Sequence, residues 1–169
     1  MKHILPILTI TTLAAAASAQ TASSGLSYNR VGLGYNTDSK GYSLTAEAVL
    51  GSSNFVVQAG TTIGGDSTGN GADSVSLGYL FKNVYAGVDA LASIGSNEAY
   101  KLGLRKDLGI YNLEAAASFG RSKDASNKNQ NVWSIELAYN VSKQLQLAVG
   151  YTDAQNTKGT TDLSARYNF

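Results

Sequence analysis

Eight charged side chains of this 169-residue chain share one place in an alternating pattern: Arg30, Glu47, Asp89, Lys101, Arg105, Glu114, Glu136 and Arg166. Each is opposite in parity to a local run of apolar residues, so in a strand each points away from the face those residues form. Opposite signs are interleaved along the chain. That order predicts a network of ion pairs inside a closed structure, because unpaired charges in a narrow interior are costly whereas paired, partly hydrated ones are held. A charge-lined conducting path is the alternative. Acid–base work by Glu114 and Glu136 is a third reading, which a narrow interior disfavours because it offers a polymer no entry.

Other reactive side chains are scarce. The sole His is His3, and there is no Cys. Residues 1–19 read as a secretory signal peptide. Lys2 and His3 give a short charged start, Ile4 to Leu13 an apolar stretch, and Ala17-Ser18-Ala19 a cleavage signal before Gln20. Once that leader is removed, no imidazole or thiol remains to act as base, nucleophile or soft metal ligand. Without Cys there is no lipid-attachment cysteine and no disulfide framework. The leader takes one basic residue, Lys2, out of 13 and none of the 12 acidic ones, so the remainder is balanced. Nothing in that balance favours nucleic acid or another polyanion.

The elements that position the charges are strands. Mean hydropathy is −0.10, and no run of about 18 apolar residues follows Ala19, which excludes a helical membrane anchor. A membrane strand shows lipid only every second residue, so low mean hydropathy does not argue against a barrel. After a polar leader at 20–24, segments of alternating hydrophobicity are expected near 25–36, 40–51, 53–64, 72–82, 83–94, 98–107, 109–121, 130–140, 143–153 and 159–169. Ten is an even number, as in single-chain bacterial barrels. Short turns at 51–53, 82–83, 107–109 and 141–143 alternate with longer polar connections at 37–40, 65–71, 95–97, 122–129 and 154–158. The lipid-facing parity runs through Val31, Leu33, Leu44, Val57, Leu77, Val84, Ala86, Leu102, Ile135 and Leu147, with no charge at mid-strand; Lys106 shares it beside a turn, where its stem can snorkel. Lumen-facing glycines such as Gly32 and Gly103 make room for long Arg and Glu side chains.

Aromatic residues mark the two ends of the strands. Tyr35, Tyr42, Tyr100, Phe119, Trp133 and Tyr151 fall at one end, and Tyr28, Phe55, Tyr79, Phe81, Tyr85, Tyr111, Tyr139, Tyr167 and Phe169 at the other. Two aromatic girdles around an aliphatic band suit a bilayer, because amphipathic rings sit at headgroup level. A soluble sandwich would put several rings at mid-strand in its core. The last stretch places Leu163, Ala165, Tyr167 and Phe169 on one face and Asp162, Ser164, Arg166 and Asn168 on the other.

This alternating strand with a terminal Phe resembles the closing strand of bacterial outer-membrane β-barrels, where such a pattern is read by the barrel-assembly machinery. The resemblance extends over residues 20–169 and is to small barrels of the OmpA-type and porin-like class. It implies an all-β, antiparallel up-and-down transmembrane barrel of about ten strands (eight as the alternative), one domain over 20–169, both termini periplasmic, in the outer membrane of a Gram-negative cell. The chain stops at Phe169, where full-length OmpA-type proteins continue into a peptidoglycan-binding domain, so cell-wall tethering is not expected. Barrel enzymes of similar size use a His with acidic partners (omptin proteases), Ser, His and Asn (outer-membrane phospholipase), or His, Asp and Ser (lipid A palmitoyltransferase). Those chemistries fail here for want of a mature His.

A non-enzymatic barrel without cofactor or metal is therefore expected, structural or forming a narrow porin-like channel. The alternative is a surface-binding protein acting through its outer loops, of unknown ligand. Asp66 and Asp73 flank a Gly-rich stretch that could hold Ca²⁺ weakly, but the spacing matches no calcium loop and a flexible tip is the plainer reading. The partners expected are outer-membrane lipid and the assembly machinery, with Lys123, Lys128 and Lys158 placed to touch anionic lipopolysaccharide.

Overall fold

The computed structural model describes residues 25–65, 73–96, 98–124, 126–155 and 157–169. The proposed signal peptide and Asp66 lie outside the described residues. Ten strands form: β1 (Arg30–Asn36), β2 (Tyr42–Val49), β3 (Phe55–Ile63), β4 (Ser74–Tyr85), β5 (Val88–Gly95), β6 (Ala99–Asp107), β7 (Leu113–Lys123), β8 (Asn129–Asn140), β9 (Leu145–Ala154) and β10 (Thr157–Asn168). Each pairs antiparallel with its sequence neighbours, and β1 pairs with β10 to close the barrel. Closure satisfies every edge, which an alternating, two-faced sheet needs in order to stand in hydrocarbon. We call the rim carrying Gly25 and Phe169 proximal and the opposite rim distal.

Period-two alternation decides the two faces. Leu33 is 59% exposed and Ile135 54%, on an outer surface that also shows Leu77, Leu102 and Leu147. So continuous an apolar surface marks a lipid-facing wall. Lys106 is half-buried on this wall, opposite Val88 and Ala115 near the proximal rim.

Three local departures from the sequence reading have physical causes. First, β1 starts at Arg30 rather than 25. Residues 25–29 leave the ladder and enter the barrel, burying Leu26 and Tyr28 completely or nearly so. They form an apolar cluster with Val49, Val56, Leu80 and Leu91, which face inward from β2 to β5. Tyr28 is therefore inside, not on the girdle. Second, the turn expected at Lys82-Asn83 lies at Ala86-Gly87. Both residues have positive φ (48° and 79°), the two-residue geometry whose twist matches flanking strands. Asn83, also at positive φ, sits in a register irregularity between Phe81 and Tyr85, and Ala86 is a turn residue rather than a lipid-facing one.

Third, the contrast in loop length is smaller than expected. The strands run on to Lys123 and resume at Asn129 and Thr157, which leaves short distal tips at 124–128 and 155–156. Only the 64–73 connection is long. At the proximal rim, residues 108–112 form the β6–β7 turn and hold Tyr111 outside any strand.

Candidate functional site

The inward parity brings the predicted charges together in the lumen, and register decides which can meet. Arg30 faces Glu47 across β1–β2, and Arg166 faces Gly32 across the closing seam. A Cβ on Gly32 would stand 2.8 Å from Thr45 Oγ1 and 3.1 Å from Arg166 Cγ, so this glycine makes room for the arginine. Arg30 Nε lies 3.4 Å from Glu47 Oε1. Gln58 Nε2 donates to Glu47 Oε2 at 2.6 Å, and Ser76 Oγ donates to Gln58 Oε1 at 3.1 Å.

Arg105 is the hub. Its Nε and Nη2 donate to Glu114 Oε2 at 3.1 and 2.6 Å. Its Nη1 donates to the Ser27 carbonyl at 2.6 Å and lies 3.9 Å from Glu47 Oε1. Glu114 Oε1 accepts from Asn140 Nδ2 at 2.7 Å. Arg166 binds Glu136 with both terminal guanidinium nitrogens, Nη1 to Oε1 at 2.6 Å and Nη2 to Oε2. The fork geometry fixes direction as well as charge.

Asp89 is the cross-strand partner of Arg105. Its carboxylate nevertheless accepts from the Tyr28 hydroxyl at 3.1 Å and from the Asn83 backbone N–H at 2.7 Å. The Arg105 guanidinium carbon stands 5.1 Å from the Tyr28 ring centroid, within cation–π range. One short segment, Ser27 to Asn29, thus meets Arg105 twice, Asp89 once and β2 through Val49 N–H donating to Asn29 Oδ1 at 2.8 Å.

Lys101 stands apart from this network. It faces the lumen from β6 and is exposed there, and no hydrogen bond or ion pair joins it to another described residue.

Three widenings follow one another along the lumen. A distal vestibule of about 360 Å³ is lined by Arg30, Glu47, Lys101, Arg166 and serines of β4 and β5. A middle space of about 150 Å³ lies among Tyr28, Asp89, Arg105 and Glu136. A proximal vestibule of about 640 Å³ touches Leu26, Ser27, Glu114 and Asn168. Arg105, Glu114 and residues 26–28 stand between the last two.

The girdle residues lie as follows. Tyr35 and Tyr42 pair across the β1–β2 hairpin at 5.3 Å, and Trp133 meets Tyr151 at 5.5 Å, both distally with Tyr100. Phe55, Tyr79 and Phe81 form a proximal chain of ring contacts. Tyr139 and Tyr167 are half-exposed, and Tyr85 and Tyr111 are the most exposed of all, at the proximal hairpins. Leu163, Ala165 and Tyr167 lie on the outer face of β10, and Phe169 follows the strand with its N–H donating to the Asn29 carbonyl at 3.0 Å. Lys123 pairs with Glu98. Among the described residues no group of three His, Cys, Asp or Glu side chains could hold a metal, and Asp73 accepts from Thr61 Oγ1 at 2.7 Å.

No protein-family model and no curated protein matches the sequence. Solved structures do match in fold. The KdgM porin in complex with disordered oligogalacturonate aligns with a TM-score of 0.51 at 11% identity, over 83% of this chain and 99% of that one. The NanC porin aligns at a TM-score of 0.46 and 13% identity, over 83% and 98%. A de novo designed transmembrane β-barrel aligns at 0.42 and 16%, over 83% and 92%. The chain has the fold of a closed transmembrane β-barrel.

Proposed function

We propose that this protein is a non-enzymatic outer-membrane barrel that works as a narrow, charge-lined porin-like channel. The observation that carries this reading is the succession of three widenings along the charge-bearing lumen of the closed barrel, with Arg105, Glu114 and residues 26–28 between the last two. A ten-strand barrel lies just above the eight-strand size whose interior side chains fill, so small ions and solutes are its natural cargo. The paired charges hold the lumen open in shape while keeping its sum near neutral. Both termini lie on the periplasmic side, residues 1–19 are removed on export, and β10 docks with the assembly machinery through Leu163, Ala165, Tyr167 and Phe169. Lys123, Lys128 and Lys158 near the distal rim contact lipopolysaccharide.

The test is single-channel recording of the refolded mature protein in planar bilayers, beside Arg105→Ala and Glu114→Ala. Small reproducible currents whose ion selectivity shifts in opposite directions in the two variants support a channel lined by these residues. Silence from all three correctly folded, heat-modifiable barrels overturns it in favour of a sealed scaffold.

A further inference from the structure

The outer wall carries a groove that a lumen channel does not use, and cross-strand register gives its shape. One row of outward side chains runs from β3 to β7 through Phe55, Tyr79, Ala92, Leu102 and Phe119. The next outward row towards the distal rim is Leu77, Ile94 and Tyr100. Between the two rows lie Gly78, Ser93, Lys101 and Gly120, which have the inward parity, so on the outside only backbone separates the rows. The result is an apolar groove of about 550 Å³, within the size range of small-molecule sites. At about 4.8 Å per strand spacing, it runs about 19 Å from Phe119 to Phe55. Ala92 leaves a gap in one wall, between Tyr79 and Leu102.

The distal end of this groove is cationic. Arg121 is the cross-strand partner of Tyr100 and extends its row; it shares the outward parity of Phe119 and is exposed. No hydrogen bond or ion pair joins its side chain to another described residue. The carboxylates of that rim are placed elsewhere. Glu98 holds Lys123, Asp124 accepts the Ser126 and Lys128 N–H groups, and Asp153 stands opposite Trp133, two strands from β7. Tyr100, Phe119 and Trp133 belong to the distal aromatic girdle, which sets Arg121 at headgroup depth. On a lipid-facing wall, an apolar groove that ends in a free guanidinium is complementary to an acyl chain with an anionic head. A phosphate suits that head, because a guanidinium grips it with two parallel N–H donors.

We propose that this groove seats one acyl chain of lipopolysaccharide, with a phosphate of its lipid A held by Arg121. The choice of lipid rests on the distal rim facing outward, as in the function proposed above; the groove and its cation do not. Native mass spectrometry of the folded barrel, released from detergent micelles titrated with lipid A, counts bound lipid. The natural chain should retain lipid A, and Arg121→Gln should hold it about tenfold more weakly. Ala92→Phe, which fills the gap in the wall, should hold it several-fold more weakly. Lys106→Gln removes a cation of the same wall near the other rim and should bind as the natural chain does. Micelles give both rims equal access and no current is read, so neither a reversed orientation nor a sealed lumen imitates failure of the groove. Absence of lipid A binding, or affinity equal to that of the natural chain in Arg121→Gln or in Ala92→Phe, overturns the proposal. Phosphatidylglycerol retained as tightly as lipid A overturns lipopolysaccharide as the occupant, and a dimer that Ala92→Phe dissociates gives the groove to a second copy instead. Arg121 and Ala92 are exposed on the outer face, so their variants should fold, and a gel mobility shift on heating verifies that they have.

Discussion

Arg105→Met keeps side-chain length and removes the charge at the centre of the network. The guanidinium contacts Glu114 through two nitrogens, Glu47 at 3.9 Å, the Ser27 carbonyl at 2.6 Å and the face of Tyr28. Removing one partner of a buried pair costs about 3–5 kcal/mol, because the other charge is left uncompensated. Glu114 keeps the hydrogen bond from the Asn140 amide, which offsets part of the loss; the cost should fall near the lower figure, about 3 kcal/mol. Glu114→Gln leaves Arg105 with Glu47 and Ser27 and should cost less, about 1–3 kcal/mol. The double variant orphans neither charge, so its loss should be smaller than the sum of the two by about 1–3 kcal/mol. Urea unfolding of the reconstituted barrel, followed by the fluorescence of the single tryptophan, Trp133, measures all four proteins. Additivity within about 0.5 kcal/mol would refute the claim that these two side chains act as a pair.

Two further outcomes follow from the walls of the barrel. Leu102→Arg puts a charge in the middle of the lipid face and should destabilise the folded barrel by about 2–4 kcal/mol in bilayers, read from the same unfolding curves. Ala86→Gly should stabilise the barrel by about 0.5–1 kcal/mol, because Ala86 holds a left-handed conformation (φ 48°) that glycine adopts without a Cβ clash.

Most of the fold was legible because alternation carries it. Ten apolar-polar repeats separated by turn residues became ten strands, and the face of each followed from parity alone. The first error arose where parity was set aside. Leu26 and Tyr28 share the parity of Arg30 and Gly32, which already placed them inside. Grouping Tyr28 with the girdle relied on its being aromatic, and so missed that Leu26 and Tyr28 pack inside the barrel. The Lys82-Asn83 turn was read from residue type, whereas the hairpin uses Ala86-Gly87 and turns Asn83 into a donor for Asp89. Amide side chains were missed altogether. Gln58, Asn140 and Gln146 link the carboxylates and arginines, and in the sequence they are ordinary polar residues on a polar face. The pairing of Arg166 with Glu136 rather than Glu47 depends on distances across the lumen, which strand order does not contain.

The central claim is that residues 26–28, locked by Arg105 and Asp89, set the width of the conducting path. Single-channel conductance of the natural chain beside Leu26→Ala/Tyr28→Ala tests it most directly. The variant truncates two of the six side chains of the apolar cluster and removes the hydroxyl bound to Asp89 and the ring beneath Arg105. The account predicts small currents from the natural chain and a several-fold larger unitary conductance from the variant, with both barrels equally heat-modifiable. Identical conductance in the two would contradict it, and would mean that the path, if present, is limited elsewhere than at this segment.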